Sequence, residues 1–209
     1  MKTLIFDFDG TIADTLPQVI RCVNQLSEKY KYSKIKVTKE IRKKEMSVIV
    51  RECLKLSYLS LPRYVRDIKR LLNLDMEKIL FFKNMKFVLE KLSKKYKIII
   101  LSSNSEENIK KILKDNKSSI PEIYSDSSIF GKRQVIKKLL KEKKLEKEKK
   151  ANVIYVGDEV RDIDACKKAG IKIIAVTWGY NTKELLKKHR PDFLVNTPLE
   201  LLSVLDLKK

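Results

Sequence analysis

Residues 3–15 have the sequence Thr-Leu-Ile-Phe-Asp-Phe-Asp-Gly-Thr-Ile-Ala-Asp-Thr, in which an apolar run carries two carboxylates. Residues 4–6 are apolar and predict a short strand that is buried in a parallel sheet. Asp7 and Asp9 are two positions apart, so a strand presents both side chains on the same side. Gly10 permits a sharp turn directly after them. We therefore expect a buried strand that ends in a pair of neighbouring acids.

This pair of acids has two interpretations. Two neighbouring carboxylates repel each other, and a cation or a proton between them relieves the repulsion. The alternative is a strand that ends in an ordinary Asp-Gly turn with both acids solvated, because Asp-Gly is a common turn dipeptide. The rest of the sequence decides between them, because polar residues at the ends of other strands would favour a functional site over a simple turn.

The length of the chain suits one medium domain, or one domain with a modest insertion. It has 209 residues, and its hydrophobic fraction of 43% is enough for a core. No apolar run of about 18 residues or more appears, so no membrane span is predicted. The N-terminus begins directly with an acid-containing strand, which is unlike a secretory signal. We therefore expect a cytoplasmic protein.

Three cysteines and one histidine narrow the possible chemistry. Cys22, Cys53 and Cys166 are far apart and lack metal-ligand spacing, which argues against a disulfide framework and a zinc site. His189 lies in a Lys-Lys-His-Arg run, where a solvated residue at a helix end is expected. Nucleophilic chemistry with a Ser-His or Cys-His pair would need this histidine and is therefore disfavoured.

The formal net charge is +20, from 47 Lys and Arg against 27 Asp and Glu. Such a field attracts anions and binds nucleic acid without sequence specificity. Lysine is spread through the whole chain, and no arginine-aromatic recognition motif stands out. We therefore expect solvated helix faces and no specific nucleic acid, with a field that helps to collect phosphorylated small molecules.

Helical patterns fill the chain between the first strand and the next. A proline near the start and apolar residues at helical spacing predict a helix over residues 17–31, and helical segments continue through 38–80. No strand is predicted between residues 17 and 90. A helical block of about 65 residues, bounded by turn and proline signals, is therefore inserted after the first strand.

Strands and helices alternate through the rest of the chain. Apolar runs predict strands at 98–101, 153–156, 171–176 and 193–195, with a shorter β-like patch at 122–125. The final helix is expected to bury three leucines, Leu199, Leu202 and Leu205. This alternation predicts an α/β fold with a doubly wound parallel sheet, which binds ligands at the carboxyl ends of its strands.

Polar side chains recur where these strands end. Ser102 and Ser103 follow one strand, and Asp158 follows another, with Asp162 one helical turn later. The serines either bind phosphate oxygens, together with the backbone N–H groups after them, or lead into a helix that Ser103 or Asn104 caps. Because the carboxyl ends of parallel strands share one edge, we expect these residues to lie near the acids of the first strand.

Four segments, in this order, resemble the motifs of the haloacid dehalogenase superfamily of phosphotransferases. They are Asp-Phe-Asp-Gly-Thr at 7–11, Ser102 at a strand end, Lys132 after Phe-Gly at a helix start, and Gly-Asp-Glu-Val-Arg-Asp at 157–162. Thr-Trp-Gly-Tyr-Asn at 177–181 and Pro-Asp-Phe-Leu-Val-Asn-Thr-Pro at 191–198 are similar to the phosphoglycolate phosphatase-like branch. The resemblance covers nearly the whole chain.

The domain organisation follows from this resemblance and from the helical block. It implies a Rossmann-like α/β core of residues 1–14 and 82–209 and an α-helical cap of residues 15–81. The cap carries many basic residues of equal standing. The sequence therefore selects neither a physiological substrate nor an oligomeric state.

The resemblance also implies a phosphatase that works through an aspartyl-phosphate. Asp7 is expected to attack phosphorus, and Asp9 to protonate the leaving oxygen and then to activate water. Lys132 is expected to hold the phosphate and to offset the charge of Asp7. The other predicted phosphate-binding residues carry hydroxyl groups: Thr11, Ser102 and Ser103.

Magnesium is the metal that the resemblance implies. Its expected ligands are the carboxylates of Asp7 and Asp158 and the backbone carbonyl of Asp9, with Asp162 in support, and hard oxygen ligands suit this ion. Asp9 favours a phosphatase or a phosphomutase, because family members without this acid include dehalogenases.

Two alternatives stay open. A sugar phosphomutase of the same superfamily has the same four motifs and retains a bisphosphate intermediate under its cap. From a different class, the basic chain suits a nucleic-acid-binding protein or a phosphatase of nucleic-acid ends. The expected partner is a small-molecule phosphate ester. Binding to a membrane or to a specific nucleic acid is not expected.

Overall fold

The computed structural model describes residues 2–45, 48–57, 59–74, 79–118, 122–126, 131–145 and 147–206, with the side chains of 147–149 excepted. Six strands within these ranges form one sheet: β1 (Thr3–Asp7), β2 (Lys97–Ser102), β3 (Ile123–Ser125), β4 (Val153–Gly157), β5 (Lys172–Val176) and β6 (Phe193–Val195). Their order is β3-β2-β1-β4-β5-β6, and every neighbouring pair is parallel. The predicted doubly wound parallel sheet is confirmed.

Helices connect these strands and fill the segment after β1. The α-helices are α1 (Leu16–Gln25), α2 (Ser27–Tyr30), α3 (Lys39–Arg42), α4 (Leu61–Leu74), α5 (Met85–Ser93), α6 (Glu106–Asp115), α7 (Lys132–Glu142), α8 (Val160–Ala169), α9 (Lys183–Lys188) and α10 (Glu200–Asp206). A π-helical turn lies at Ile49–Cys53, and a 3-10 helix at Lys147–Asn152. Within the described ranges, no helix has both the length and the apolar character needed to cross a membrane.

β1 lies in the middle of the sheet, between β2 and β4. Leu4 and Phe6 pack into the hydrophobic cluster on one face, and Ile5 packs into the cluster on the other, because successive strand side chains point to opposite faces. All three are fully buried. With both faces covered, polar side chains of the central strands can reach a ligand only at the strand ends. The chain reverses its winding direction between β1 and β4, where open α/β sheets bind ligands.

The chain leaves the sheet region after Ala13 and returns at Phe81, and these two residues pair in an antiparallel bridge. Backbone hydrogen bonds from Asp14 N to the Leu80 carbonyl (2.9 Å) and from Phe82 N to the Ile12 carbonyl (3.1 Å) join the two crossings. The segment between them has a third hydrophobic cluster, whose buried residues are Leu26, Tyr32, Ile35, Leu54 and Tyr64. This separate cluster supports our proposal that residues 15–81 form a cap on a core of residues 1–14 and 82–209.

The helix predicted over residues 17–31 is interrupted. It ends at Gln25, and a short second helix begins at Ser27. The hydroxyl of Ser27 donates to the carbonyl of Asn24 at 2.7 Å. Serine hydroxyls that bond to nearby backbone groups compete with the helical pattern, and the spacing of apolar residues does not reveal this competition.

The buried face of the final helix also differs from the prediction. Leu199 is 43% exposed, whereas Leu201 and Leu205 are buried. The helix begins at Glu200, so Leu199 precedes its first turn. Leu201 and Leu205 are four positions apart and therefore share the face that packs on the sheet.

Candidate active site

Three buried acids meet at the carboxyl ends of β1 and β4. Asp7 is the last residue of β1, Asp158 follows β4 directly, and Asp162 lies in the first turn of α8. A carboxylate oxygen from each lies within 4.8 Å of the other two. The two strands and one helix therefore bring together residues that are up to 155 positions apart in the sequence.

Lys132, the first residue of α7, reaches into this cluster. Its Nζ lies 2.7 Å from Asp7 Oδ2 and 3.0 Å from Asp162 Oδ1. The same Nζ lies 5.5 Å from the centre of the buried Tyr155 ring, within cation–π range. Burial alone would lower the pKa of Lys132, but the carboxylates of Asp162 and Asp7 raise it above its usual value. Lys132 is therefore a fixed cation beside Asp7. Phe130, part of the motif that predicted it, lies outside the described residues.

The cluster carries more negative charge than Lys132 offsets. Burial raises the pKa of Asp7 to about 7, although Lys132 opposes the shift. The pKa of Asp158 is raised well above its usual value by burial and by the charges of Glu159, Asp7 and Asp162. A divalent cation would relieve this repulsion, and the all-oxygen donor set fits a hard ion. The acids can therefore hold a divalent metal ion.

Asp9 has different partners from Asp7. β1 ends at Asp7, so the alternation of side chains along a strand does not extend to Asp9. The carboxylate of Asp9 accepts a hydrogen bond from Ser102 Oγ at 3.0 Å, at the end of β2. Burial raises the pKa of Asp9, and its hydrogen bonds with Ser102 and Thr15 oppose the shift. The structure thus separates a carboxylate beside Lys132 from a carboxylate bound to hydroxyl groups.

The three hydroxyl residues predicted to bind phosphate occupy different surroundings. Ser102 is buried and bonds to Asp9, whereas Ser103 is exposed. Thr11 is fully buried, and its hydroxyl donates to Asp158 Oδ1 at 2.8 Å. Thr11 therefore orients an acid of the cluster in this structure.

The N-cap of α6 differs from the alternative that the sequence offered. Ser105 precedes the helix, and its side chain accepts a hydrogen bond from Asn108 N at 3.2 Å. Ser103 and Asn104 are therefore not the cap. The backbone N–H of Asn104 donates instead to Ser102 Oγ at 3.0 Å. The Ser102 hydroxyl group is therefore held by two hydrogen bonds, one from Asn104 N and one to the Asp9 carboxylate.

The loop after β5, residues 177–181, contributes contacts that the sequence did not reveal. The backbone N–H of Tyr180 donates to Asp158 Oδ2 at 2.6 Å. The indole N–H of Trp178 donates to the carbonyl of Thr11 at 3.0 Å. The sequence feature that could have revealed them is the position of this loop, which follows a strand at the same edge of the sheet as the acids.

Two glycines make this close approach possible. A Cβ atom on Gly179 would lie 2.3 Å from both Asp158 Oδ2 and the carbonyl oxygen of Gly10. Gly10 has a φ of +77°, a conformation that side chains disfavour. The turn after the first strand and the loop after β5 can therefore both pack directly on Asp158.

Comparison with known proteins identifies the family. Residues 4–176 match a family model described as haloacid dehalogenase-like hydrolase. The chain is 33% identical over 207 residues to a phosphoglycolate phosphatase of Synechococcus elongatus, covering 97% of this chain and 96% of that protein. It is 26% identical over 215 residues to a phosphoglycolate phosphatase of Aquifex aeolicus, covering 99% and 97%.

The fold also matches solved structures. A haloacid dehalogenase-like family hydrolase from Streptococcus pneumoniae superposes with a TM-score of 0.81 at 22% identity, over 98% of both chains. At this identity the likeness concerns the fold alone. The family match and the full-length relatives confirm the resemblance inferred from the four motifs. The chain belongs to the haloacid dehalogenase-like hydrolase family, as a phosphatase similar to the phosphoglycolate phosphatases.

Proposed function

We propose that this chain is a magnesium-dependent phosphatase that hydrolyses a small phosphorylated metabolite, a phosphoglycolate-like compound or a sugar phosphate, through an aspartyl-phosphate on Asp7. The observation that carries the proposal is the position of Lys132 Nζ, 2.7 Å from Asp7 Oδ2 within a cluster of buried acids. The two phosphoglycolate phosphatase relatives, which match over almost their full lengths, support the choice of a small ester.

The first step uses Asp7 as the nucleophile. Phosphate monoesters are stable anions, so a catalyst must offset charge and deliver a nucleophile in line with the leaving group. A carboxylate oxygen of Asp7 bonds to phosphorus as the bond from phosphorus to the leaving oxygen breaks. Lys132 stabilises the charge on the transferring group, because its ammonium group is already fixed beside Asp7.

Asp9 moves the proton in both halves of the reaction. It donates a proton to the leaving oxygen in the first half. In the second half it takes a proton from water, whose oxygen bonds to phosphorus as the bond from phosphorus to Asp7 breaks and free phosphate leaves. Burial raises its pKa, which favours the protonated form needed at the start. The Ser102 hydroxyl, 3.0 Å away, orients its carboxyl group.

Magnesium would be held by the carboxylates of Asp7 and Asp158 and by the backbone carbonyl of Asp9. When bound, it supplies positive charge to the phosphoryl oxygens. Thr11 and Tyr180 N hold the carboxylate of Asp158, and Asp162 holds Lys132. These contacts support the assignment of Asp158 to the metal and of Lys132 to the phosphate.

The test is turnover of a generic aryl phosphate by the purified protein. We expect free phosphate to appear with magnesium, a chelator to stop the reaction, and Asp7→Asn to abolish it with the fold intact. Asp115→Asn is the matched control, because Asp115 is an exposed acid at the end of α6. Full turnover by Asp7→Asn, or full turnover without metal, would contradict the proposal.

The substrate class requires a separate screen. Phosphoglycolate, sugar phosphates, nucleotides and phosphorylated cofactors are compared under the same conditions with magnesium. A phosphatase releases free phosphate, whereas the alternative phosphomutase yields an isomerised sugar phosphate. Salt-dependent binding of short oligonucleotides without turnover of any small ester would favour the nucleic-acid alternative.

A further inference from the structure

One segment of the cap docks on the loop that follows β5. The Arg42 guanidinium donates hydrogen bonds to three carbonyl oxygens of that loop, those of Gly179 (2.6 Å), Tyr180 (3.2 Å) and Thr177 (3.5 Å). In return, the carbonyl of Arg42 accepts a hydrogen bond from Thr182 N at 3.0 Å. We call Arg42 and residues 177–182 the clasp.

The clasp is bonded to the acid cluster on its other side. Tyr180 N donates to Asp158 Oδ2 at 2.6 Å, and Tyr180 OH lies 2.9 Å from Thr15 Oγ1. The side-chain oxygen of Asn181 accepts from Val160 N at 3.0 Å, at the start of the helix that carries Asp162. One short loop thus contacts both the cap and the groups that orient the acids.

The geometry of the chain makes this contact important for the position of the cap. The proposed cap is covalently joined to the core only at its two crossings near Ala13 and Phe81. Away from them, its position depends on non-covalent contacts. Outside the loop after β5, a single hydrogen bond at 2.8 Å joins the side chains of Asn73 in the proposed cap and Asn108 in the core. Arg42 makes three bonds to one loop, so it is the stronger of these two attachments.

We infer that Arg42 is a positioning residue that acts on Asp158 through the clasp. Arg42 lies in the proposed cap and holds the carbonyl groups of Thr177, Gly179 and Tyr180. With these groups held, the N–H of Tyr180 stays directed at the Asp158 carboxylate. Cap docking and the orientation of a metal-binding acid are then linked. The inference rests on the proposed metal-dependent phosphatase function and adds a named residue that lies outside the four motifs.

The guanidinium group is well suited to this role. Its five N–H donors form a rigid planar fork that bonds to several acceptors at once, whereas a lysine ammonium is a compact point charge. Arg42→Lys retains the charge but not this geometry, so it separates the two contributions. Arg51 is the matched control, because it is an arginine of the same cap whose side chain is 76% exposed and pairs with Glu52.

The experiment combines two measurements on Arg42→Ala, Arg42→Lys and Arg51→Ala. Magnesium alone is titrated calorimetrically into the substrate-free protein, and steady-state turnover of an aryl phosphate is measured at saturating magnesium. For both Arg42 variants we expect magnesium affinity and kcat to fall about tenfold, the usual range for groups that orient metal ligands. The KM for the ester should change much less, and Arg51→Ala should match the wild type.

Three results would overturn the inference. They are unchanged magnesium affinity and kcat in a folded Arg42→Ala, a lower melting temperature as its only effect, and full rescue by Arg42→Lys. If Arg42→Ala does not fold, Arg42→Lys decides alone by the same two measurements. The calorimetric titration needs no turnover, so it separates failure of this inference from failure of the proposed function.

Discussion

The sheet core and the proposed cap differ in how their interiors are packed. The central strands of the core bury aliphatic side chains completely on both faces, as Ile5, Ile99 and Ile100 illustrate. The buried cluster of the cap is smaller and includes Tyr32 and Tyr64, whose hydroxyl groups need polar partners. Many of the ion pairs of the cap are exposed and contribute little to stability.

This difference has a consequence for function. Asp7 is the last residue of the buried strand β1, and Asp9 and Asp158 lie directly beyond the ends of β1 and β4. The proposed cap reaches Asp158 indirectly through Arg42, whose guanidinium bonds to the loop that contacts this acid. We therefore expect a few substitutions at the site to lower kcat strongly. Substitutions in the proposed cap should have smaller, graded effects.

Loss of Lys132 should have the largest effect on activity. Lys132→Met removes the cation beside Asp7 and keeps a side chain of similar length. We expect kcat to fall by about 10²–10³-fold, the usual cost of a lost transition-state donor. Lys137→Met is the matched control, because Lys137 is an exposed lysine on the same helix. Steady-state kinetics measures both, and equal activity of the two variants would remove Lys132 from its role.

Cavity-forming substitutions compare the two hydrophobic clusters directly. Ile100→Ala in the sheet should reduce the free energy of unfolding by about 4 kcal/mol, and Leu54→Ala in the cap by about 2 kcal/mol. Ile100 is enclosed on all sides, whereas partly exposed residues around Leu54 can move to fill space. Denaturant unfolding gives both values. A larger loss for Leu54→Ala would mean that the cap is packed as tightly as the core.

Gly179→Ala tests the close packing of the loop after β5. The added methyl group would lie 2.3 Å from Asp158 Oδ2, so the loop must move away from the acid. We expect kcat to fall about tenfold, with a parallel loss of metal affinity. Gly131→Ala is the control, because the added Cβ atom would lie 3.5 Å from Gln134 Oε1, an ordinary van der Waals contact. Wild-type kinetics for Gly179→Ala would show that Asp158 does not depend on this loop.

The acid cluster should give the metal-free protein a characteristic pH dependence. The pKa of Asp7 is about 7 in the folded protein and 3.8 in the absence of its surroundings. Between these values the folded state binds more protons than the unfolded state, so the free energy of unfolding falls as pH rises. Asp7→Asn should make this fall shallower, by at most about 1.4 kcal/mol per pH unit.

Urea unfolding at several pH values between 5 and 8, with a chelator present, measures this slope. The exposed Asp115→Asn variant should keep the wild-type slope. Identical slopes for wild type and Asp7→Asn would mean that Asp7 is ionised throughout this range. Added magnesium should restore stability most strongly at the upper end, where the cluster is most negative.

The sequence predicted most of the fold because local patterns coincide with it. The strand before Asp7 and the alternating elements after residue 84 appear as buried apolar runs and helical spacings. The grouping of Asp7, Lys132 and Asp158 followed from motif order and from the shared edge of parallel strands. The strands and helices depend on residues that are close in the sequence, whereas the grouping of the site residues was inferred from their place at strand ends and from the motif order.

What the sequence did not predict depends on contacts between distant residues. Arg42 and Gly179 are 137 positions apart, and no periodic pattern encodes their hydrogen bond. The bond from Thr11 to Asp158 likewise requires two turns to pack within 3 Å of each other. Leu199 was wrongly expected on the buried face of the last helix, because it precedes the first turn of that helix.

The residue that carries the phosphoryl group can be identified by chemical trapping. Asp9→Asn is mixed with an aryl phosphate and magnesium, quenched in acid, reduced with borohydride and mapped by peptide mass spectrometry. An aryl leaving group departs without a proton, whereas hydrolysis of the intermediate needs the missing base, so the intermediate should accumulate. We expect homoserine, the reduction product of aspartyl-phosphate, at position 7. Phosphate release with modification at another residue, or with none, would contradict the account.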